Sequence, residues 1–330
     1  MDQAGPCSRQ KEREGHDAQD PFPLTASAPA RKDASHRGLI GDSAGRLQPL
    51  QSRPVGKIRV LPRDVIEKIA AGEIVERPAS VVKELVENAL DAGAKRVTVE
   101  IEEGGARLIR VIDDGAGIAP EDLALAVASH ATSKLSVDDD LVHIATFGFR
   151  GEAIASIGAI AHLKILSRRP DAPSGASVEV RGGAMKPVRE AGAPAGTRVE
   201  VADLFFNVPA RRKFLKSAAT EAAHIQDWIE RFALANPKVA FFLEVDKRRV
   251  VQAFPAETLL ERARYVLGPA SDAELLPVES SIGGLSIWGL VSRPSVFRPN
   301  AKQQMVFVNG RFVRDRIVSQ AVRQAYETMV

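Results

Sequence analysis

Cysteine is nearly missing from this sequence: Cys7 stands alone among 330 residues. No intrachain disulfide can therefore form, and no cluster of Cys and His has zinc-ligand spacing, so redox and structural-zinc chemistry are excluded. Long apolar runs are lacking as well. The longest weakly polar stretch, Ala153 to Leu163, is far short of the roughly 18 to 20 residues that a membrane span needs, and the Met1-Asp2-Gln3 start has no apolar signal core. A soluble, cytoplasmic protein with no membrane partner is the expectation. Neither sign of charge dominates, since 45 Lys and Arg stand against 42 Asp and Glu for a net charge of +3. Any nucleic-acid role must then rest on a local patch. Two phosphate-binding signatures are also absent, GxxxxGK[ST] and a full GxGxxG. A triphosphate, if bound, is bound outside the P-loop and dinucleotide classes.

What is present, 45% hydrophobic and 26% charged residues, is the composition of a globular chain long enough for two cores. Residues 1–57 are rich in Gly, Pro and Ser and show no periodicity, so they read as a disordered tail. From Ile58 the texture changes. The pattern predicts a helix over Arg63 to Ala71 ending at Gly72, and a second starting at Pro78, a natural first helical position, and stopping at Gly93. Arg96 to Ile101 and Leu108 to Ile112 are β-branched runs joined by Glu102-Glu103-Gly104-Gly105, a hairpin that disfavours an all-parallel dinucleotide fold. A helix near Pro120 to Ser129, a loop from His130 to Arg150 and a helix over about Gly151 to Ile160 follow. Further strands are predicted at Leu163 to Ser167, Ser177 to Arg181 and Thr197 to Val201, then a long helix, Glu221 to Ala235, stopping before Asn236-Pro237, and a strand pair around Asp246-Lys247. Strands and helices on one sheet give an α/β two-layer sandwich. After Pro255 to Thr258 a smaller unit opens, with strands at Ser286 to Ser292 and Met305 to Val308 and a helix over Arg316 to Thr328. The expected domains are thus 58–257 and 258–330.

Three segments carry candidate chemistry. On the Pro78 helix, Glu84, Glu87, Asn88 and Asp91 fall in one sector at 100° per residue, opposite Val82, Leu85, Val86, Ala89 and Leu90. Taken alone this is first of all a solvated stripe; read sharply, Asn88 offers a neutral oxygen to Mg²⁺ while Glu84 activates a water. In Val111-Ile112-Asp113-Asp114-Gly115-Ala116-Gly117 a buried strand runs into carboxylates and glycines. That is either an ordinary turn exit or a carboxylate waiting for a partner such as an adenine amino group. Phe147-Gly148-Phe149-Arg150-Gly151 before a helix reads as a plain turn or as an anion cradle.

Taken in order, Glu84-Leu-Val-Glu-Asn88, Asp113-Asp-Gly-Ala-Gly117, Gly148-Phe-Arg-Gly151 and Gly196-Thr197 resemble the four nucleotide-binding motifs of the gyrase, heat-shock-chaperone, histidine-kinase and MutL ATPase superfamily. Longer blocks are similar to the MutL family of DNA mismatch repair proteins: Ala71-Gly-Glu-Ile-Val-Glu-Arg-Pro-Ala-Ser-Val-Val-Lys83, His130-Ala-Thr-Ser-Lys134, Asn207-Val-Pro-Ala-Arg-Arg-Lys-Phe214 and Val308-Asn-Gly-Arg311. The resemblance covers residues 58 to 330. It implies a Bergerat-type sandwich with a mixed, mostly antiparallel sheet, followed by a βαβ transducer domain, C-terminally incomplete. It implies Glu84 as general base, Asn88 as the Mg²⁺ ligand, and an ATP site formed by Asn88, Asp113, Gly115, Gly117, Thr132, Lys134, Gly148, Phe149, Arg150, Gly151 and Thr197. His130 to Arg150 would be a lid. An ATP-dependent homodimer would clamp DNA without regard to sequence and couple the mismatch-recognition protein MutS to a downstream repair nuclease or helicase.

The sequence departs from the family pattern at both ends. Residues 1–57 have no counterpart, and the sequence stops at Val330, before both a phosphate-contacting Asp-Val-Asn-Val-His-Pro-x-Lys segment and the dimerisation region that in some members holds an endonuclease. Nucleotide binding with poor turnover, and no claim of endonuclease activity, is the corresponding expectation. Alternatives are a type II topoisomerase ATPase subunit, which lacks the Gly-Phe-Arg-Gly-Glu-Ala and Pro-Ala-Arg-Arg-Lys-Phe blocks, and a non-hydrolysing ATP-binding fragment. Residues 293–323 hold Arg293, Arg298, Lys302, Arg311, Arg314, Arg316 and Arg323 against one acid, Asp315, and Arg211-Arg212-Lys213 forms a second basic cluster. Arg311, Arg314, Arg316, Arg211 and Arg212 are therefore the candidate DNA contacts.

Overall fold

The structure, a computed structural model, describes residues 40–41, 47–48, 60–131, 151–269, 274–296 and 301–327. It divides into two compact units, Met1–Arg59 and Val60–Val330. In the first, Ile40–Gly41 (β1) pairs antiparallel with Leu47–Gln48 (β2); the rest of the stretch expected to be a disordered tail lies outside the described residues. The second unit carries the features below.

Alternation of side chains lays down the middle of its sheet. Arg96–Glu102 (β3) buries Val97, Val99 and Ile101, while Leu108–Asp113 (β4) buries Ile109, Val111 and Asp113. This period of two gives a strand one core face. The pair is antiparallel, as the hairpin reading predicts, and turns through Glu103–Gly105. His162–Arg168 (β5), Gly175–Arg181 (β6), Ala184–Met185 (β7), Arg189–Ala191 (β8), Gly196–Ala202 (β9), Ala240–Val245 (β10) and Arg248–Ala253 (β11) complete the sheet. Its order is β11-β10-β3-β4-β9-β5-β6-β7, with β8 beside β6. Among the described residues β10 and β3 are its one parallel pair, so the sheet is mixed and mostly antiparallel.

Arg63–Ile74 (α1), Pro78–Asp91 (α2), Pro120–Ala126 (α3), Ala153–Ile160 (α4), Pro209–Phe214 (α5), Ala218–Ala235 (α6) and Leu259–Leu267 (α7) are the helices of this region. One hydrophobic core joins Val82, Leu85 and Val86 of α2, Ile157 and Ile160 of α4 and Ile225 and Ile229 of α6 to the inward residues of the strands. The other face of the sheet is charged: Arg110 Nε donates to Glu200 at 2.9 Å, and its Nη1 pairs with Glu100. One covered and one polar face make the two-layer sandwich.

Several boundaries differ from the sequence reading: α3 ends at Ala126 and not at Ser129, α4 opens at Ala153 and not at Gly151, and α6 opens at Ala218 and not at Glu221. α1 does not stop at Gly72 but runs to Ile74. Gly72 is there for packing: a Cβ on it would lie 2.0 Å from Nη2 of Arg211, whose Nη1 donates to the carbonyl of Val75 at 3.0 Å. Toward the C-terminus, Leu275–Ile282 (β12) pairs with Leu285–Ser292 (β13), and Val306–Val308 (β14) with Arg311–Val313 (β15). Arg316–Glu327 (α8) follows. Strands near 286–292 and 305–308 and the last helix match the sequence reading; their partners β12 and β15, and helices α5 and α7, do not feature in it.

Candidate nucleotide-binding site

Asp113 stands where the central strand β4 leaves the core, opposite Val97 of β3 and Thr197 of β9. Its carboxylate Oδ1 accepts the N–H of Gly115 at 2.9 Å, and Thr197 gives it a second backbone hydrogen bond. Burial nevertheless pushes its pKa up to about 6; the two hydrogen bonds pull the other way, and the charge of Asp114 adds to the rise. An acid so placed has acceptor capacity left for a further donor. Its neighbour has a different task. Asp114 Oδ1 accepts the N–H groups of Lys95 and Arg96 at 2.7 and 2.8 Å, fastening the start of β3.

Behind Asp113 lies a polar chain that sequence reasoning missed. Ser167 is 1% exposed. Its Oγ accepts the N–H of Ile118 at 2.8 Å, donates to the carbonyl of Gly196 at 3.0 Å and lies 2.8 Å from Oγ1 of Thr197. A serine hydroxyl has one proton, so with that proton on Gly196 the Thr197 hydroxyl is the donor to Ser167 and can only accept in any other direction. The signal was present: Ser167 continues the inward row of Leu163 and Ile165, where a hydroxyl needs a partner.

Backbones close in around this point. Gly117 has φ 70°, and a Cβ there would lie 2.3 Å from the carbonyl oxygen of Arg168; Gly196 has φ 104°, and its Cβ would lie 2.1 Å from that of Asp113. Side chains are barred from both places by conformation and by contact. Gly115 also sits close to Ala92, with 2.8 Å from a built Cβ to the carbonyl oxygen.

Helix α2 packs on β4 and carries Glu84 and Asn88. Here the sequence reading needs correction, because the four polar residues do not share one open face. Glu87 is buried at 8% exposure, and lines a cleft with Trp228 of α6 and Arg311 of β15. Lys83 bridges the two glutamates, its Nζ lying 2.9 Å from Glu84 Oε1 and 2.9 Å from Glu87 Oε2. Burial raises the Glu87 pKa from its ordinary value and the charge of Glu84 adds to the rise, against the pull of Lys83 and Arg311.

Gly151 lies against Ala131, a Cβ on it coming within 2.4 Å of the Ala131 carbonyl oxygen, and His130 Nδ1 is 3.1 Å from Glu152 Oε1. Thr132, Lys134, Gly148, Phe149 and Arg150, and with them most of the expected lid, lie outside the described residues, as does Arg298. Of the basic candidates, Arg211 is half-buried and committed to Val75, and Arg311 lines the cleft beside Glu87. Arg212, Arg311, Arg314 and Arg316 are exposed. Among the described residues no three Asp, Glu, His or Cys side chains group as a metal site, and no helix is long and apolar enough to cross a membrane.

A mixed sheet under one layer of helices, with a buried aspartate ending its central strand and an asparagine on the helix above, defines a nucleotide-binding domain of the gyrase, heat-shock-chaperone and histidine-kinase class. Residues 76–187 match the family described as histidine kinase-, DNA gyrase B-, and HSP90-like ATPase, and residues 263–330 match the C-terminal domain family of DNA mismatch repair proteins. The chain is 50% identical over 278 residues to DNA mismatch repair protein MutL of Azotobacter vinelandii, covering 83% of this chain and 43% of that one. It is 46% identical to MutL of Geobacter sulfurreducens, covering 83% and 45%. The solved Aquifex aeolicus MutL ATPase domain complexed with ADP superposes with a TM-score of 0.61 at 34% identity, covering 76% of this chain and 88% of that one. The chain belongs to the MutL family of DNA mismatch repair proteins. It spans less than half the length of the curated relatives it matches.

Proposed function

We propose that this chain binds ATP at Asp113 and hydrolyses it slowly with Mg²⁺, as the ATP-gated, homodimeric DNA clamp of mismatch repair, within the domain division 58–257 and 258–330. The observation that carries the reading is the buried Asp113 carboxyl, braced by Gly115 and Thr197 and ringed by positions where no Cβ fits. It suits a flat base with an amino donor: the acid accepts from the amino group, the Thr197 hydroxyl accepts beside it, and the missing side chains let the ring approach. Glu84 takes a proton from the attacking water through its carboxylate, one oxygen of which is anchored by Lys83. Asn88 would hold Mg²⁺ through its amide oxygen, and the ion, when bound, would neutralise charge on the phosphates. One or two protein oxygens completed by phosphates and waters are the usual coordination of that ion, and a single amide oxygen suits it. Arg212, Arg314 and Arg316 bind DNA phosphates. MutS and a downstream nuclease or helicase are the partners that family membership supports.

Equilibrium ATP binding and single-turnover hydrolysis test this together. Glu84→Ala should keep binding and lower turnover by about 10² to 10⁴. Asp113→Ala should lose about 1 to 3 kcal/mol of binding, and with it the discrimination against GTP. A parent-like Asp113→Ala would reduce Asp113 to a turn former.

A further inference from the structure

Lys83 stands at a balance point, 2.9 Å from both Glu84 Oε1 and Glu87 Oε2, so its hold on either carboxylate depends on the charge of the other. The two glutamates belong to different surroundings. Glu84 is the base proposed above, whereas Glu87 lines a cleft of about 170 Å³ walled by Trp228 and Arg231 of α6 and by Arg311 and Phe312 of β15.

The hairpin that brings Arg311 there is built for placement. Asn309 and Gly310, with φ of 50° and 78°, make a two-residue turn in which Val308 pairs with Arg311, the left-handed conformations that match a turn to the twist of its strands. Phe312 then seats the hairpin on the first domain. Its ring meets Trp228 edge-on at 6.0 Å, and the Arg231 guanidinium lies 4.3 Å from its centroid. Arg231 also turns toward Asp227, at 3.6 Å. With Phe312 fixed, the adjacent Arg311 is held in the wall of the cleft that Glu87 lines, so the two opposite charges share one enclosed space. Glu87 therefore answers to two cations, one on its own helix and one from the second domain.

We propose that Arg311, Glu87 and Lys83 form a charge relay by which the seating of the β14–β15 hairpin sets how tightly Lys83 holds Glu84. Lys83 and Glu87 are in this sense positioning residues for the base, and the inference rests on Glu84 being that base. The direction follows from electrostatics. When Arg311 satisfies Glu87, Lys83 is released to Glu84 and blunts its ability to accept a proton; when the hairpin withdraws, Glu87 draws Lys83 back and Glu84 is freed.

The test is single-turnover ATP hydrolysis, with equilibrium ATP affinity measured beside it on the 330-residue chain. Glu87→Gln leaves Lys83 to Glu84 alone and is expected to slow hydrolysis by about threefold or more, while Arg311→Gln speeds it by a similar factor, the scale of a partly exposed ion pair. Arg311→Lys, which keeps the charge, stays near the parent, and all of these variants keep ATP affinity within about twofold, the sign that the site is intact. In a Lys83→Met background both Gln substitutions become silent. Rate changes of the same sign, or changes that persist at full size in the Lys83→Met background, overturn the relay. If Glu84→Ala slows hydrolysis as expected but Glu87→Gln and Arg311→Gln do nothing, the relay alone is wrong; if Glu84→Ala turns over like the parent, the base assignment falls and the relay with it.

Discussion

Asp113 holds its proton more tightly in the folded protein than an unfolded aspartate does, and that has a sign. Its pKa rises from 3.8 to about 6 because it is buried. The native state therefore binds more protons than the unfolded one between those values, and stability falls as pH rises through them. Above pH 6 the full penalty applies, about 3 kcal/mol at most by the usual conversion of a two-unit shift. Asp113→Asn, which keeps an acceptor for the Gly115 N–H, should accordingly raise the melting temperature of the nucleotide-free protein at pH 8, with the gain gone below about pH 4. Thermal unfolding at the two pH values checks this; an advantage independent of pH would mean that the charge is not what burdens the fold. ATP should stabilise the parent more than the variant, since the amide can no longer accept from both sides as the carboxylate does.

The polar chain linking β5, β9 and the Ile118 turn is the unit above the residue, and Ser167 is its hub. Ser167→Ala strands the Ile118 N–H and unties Thr197, which should cost about 1 to 3 kcal/mol of stability in denaturant unfolding. ATP affinity should drop with it, and unchanged affinity would separate the chain from the site. At this scale the sequence was legible where local chemistry decides. Pro78 opens α2, Asn236-Pro237 closes α6 and the 96–113 hairpin announces itself by alternation. It misled where a distant residue decides. Gly72 looks like a helix stop, yet its missing side chain is filled by Arg211, which comes from α5. Glu87 has the periodicity of a solvent face, yet α6 and the β14–β15 hairpin cover it. Strand β12, Leu-Leu-Pro-Val-Glu-Ser-Ser-Ile, holds Pro277 and is mostly exposed on both faces, so no alternation betrays it and its partner β13 alone defines it. Of the candidate site, Asp113, the glycines and Thr197 were legible as motifs; Ser167, with no motif of its own, was visible only through the register.

For the whole molecule, charge is spread so evenly, 45 basic against 42 acidic residues, that the DNA binding proposed above rests on a few exposed arginines. Because Arg211 is tied to Val75 and Arg311 faces Glu87, the phosphate contacts should rest on Arg212, Arg314 and Arg316, of which Arg212 and Arg316 are the two to reverse. Reversing those two to Glu should weaken DNA binding for all sequences alike and flatten the salt dependence by about one unit of log–log slope for each phosphate no longer neutralised. A titration series in salt would show it, and an unchanged slope would place the DNA elsewhere. The sheet order also governs when such a protein can first be itself. Strands β3 and β4 emerge early in translation, but the neighbour that completes β4 is β9, and the outer neighbour of β3 is β10, at residues 240–245. The ion pair of Arg110 with Glu200 spans 90 positions, a long loop to close before any pairing rewards it. A ribosome that has made Asp113 has made an aspartate without a pocket, and the nascent chain carries β3 and β4 with open outer edges until β9 and β10 arrive. The site thus comes into being only once Gly196 and Thr197 of β9 have been made, well after its signature residue, Asp113.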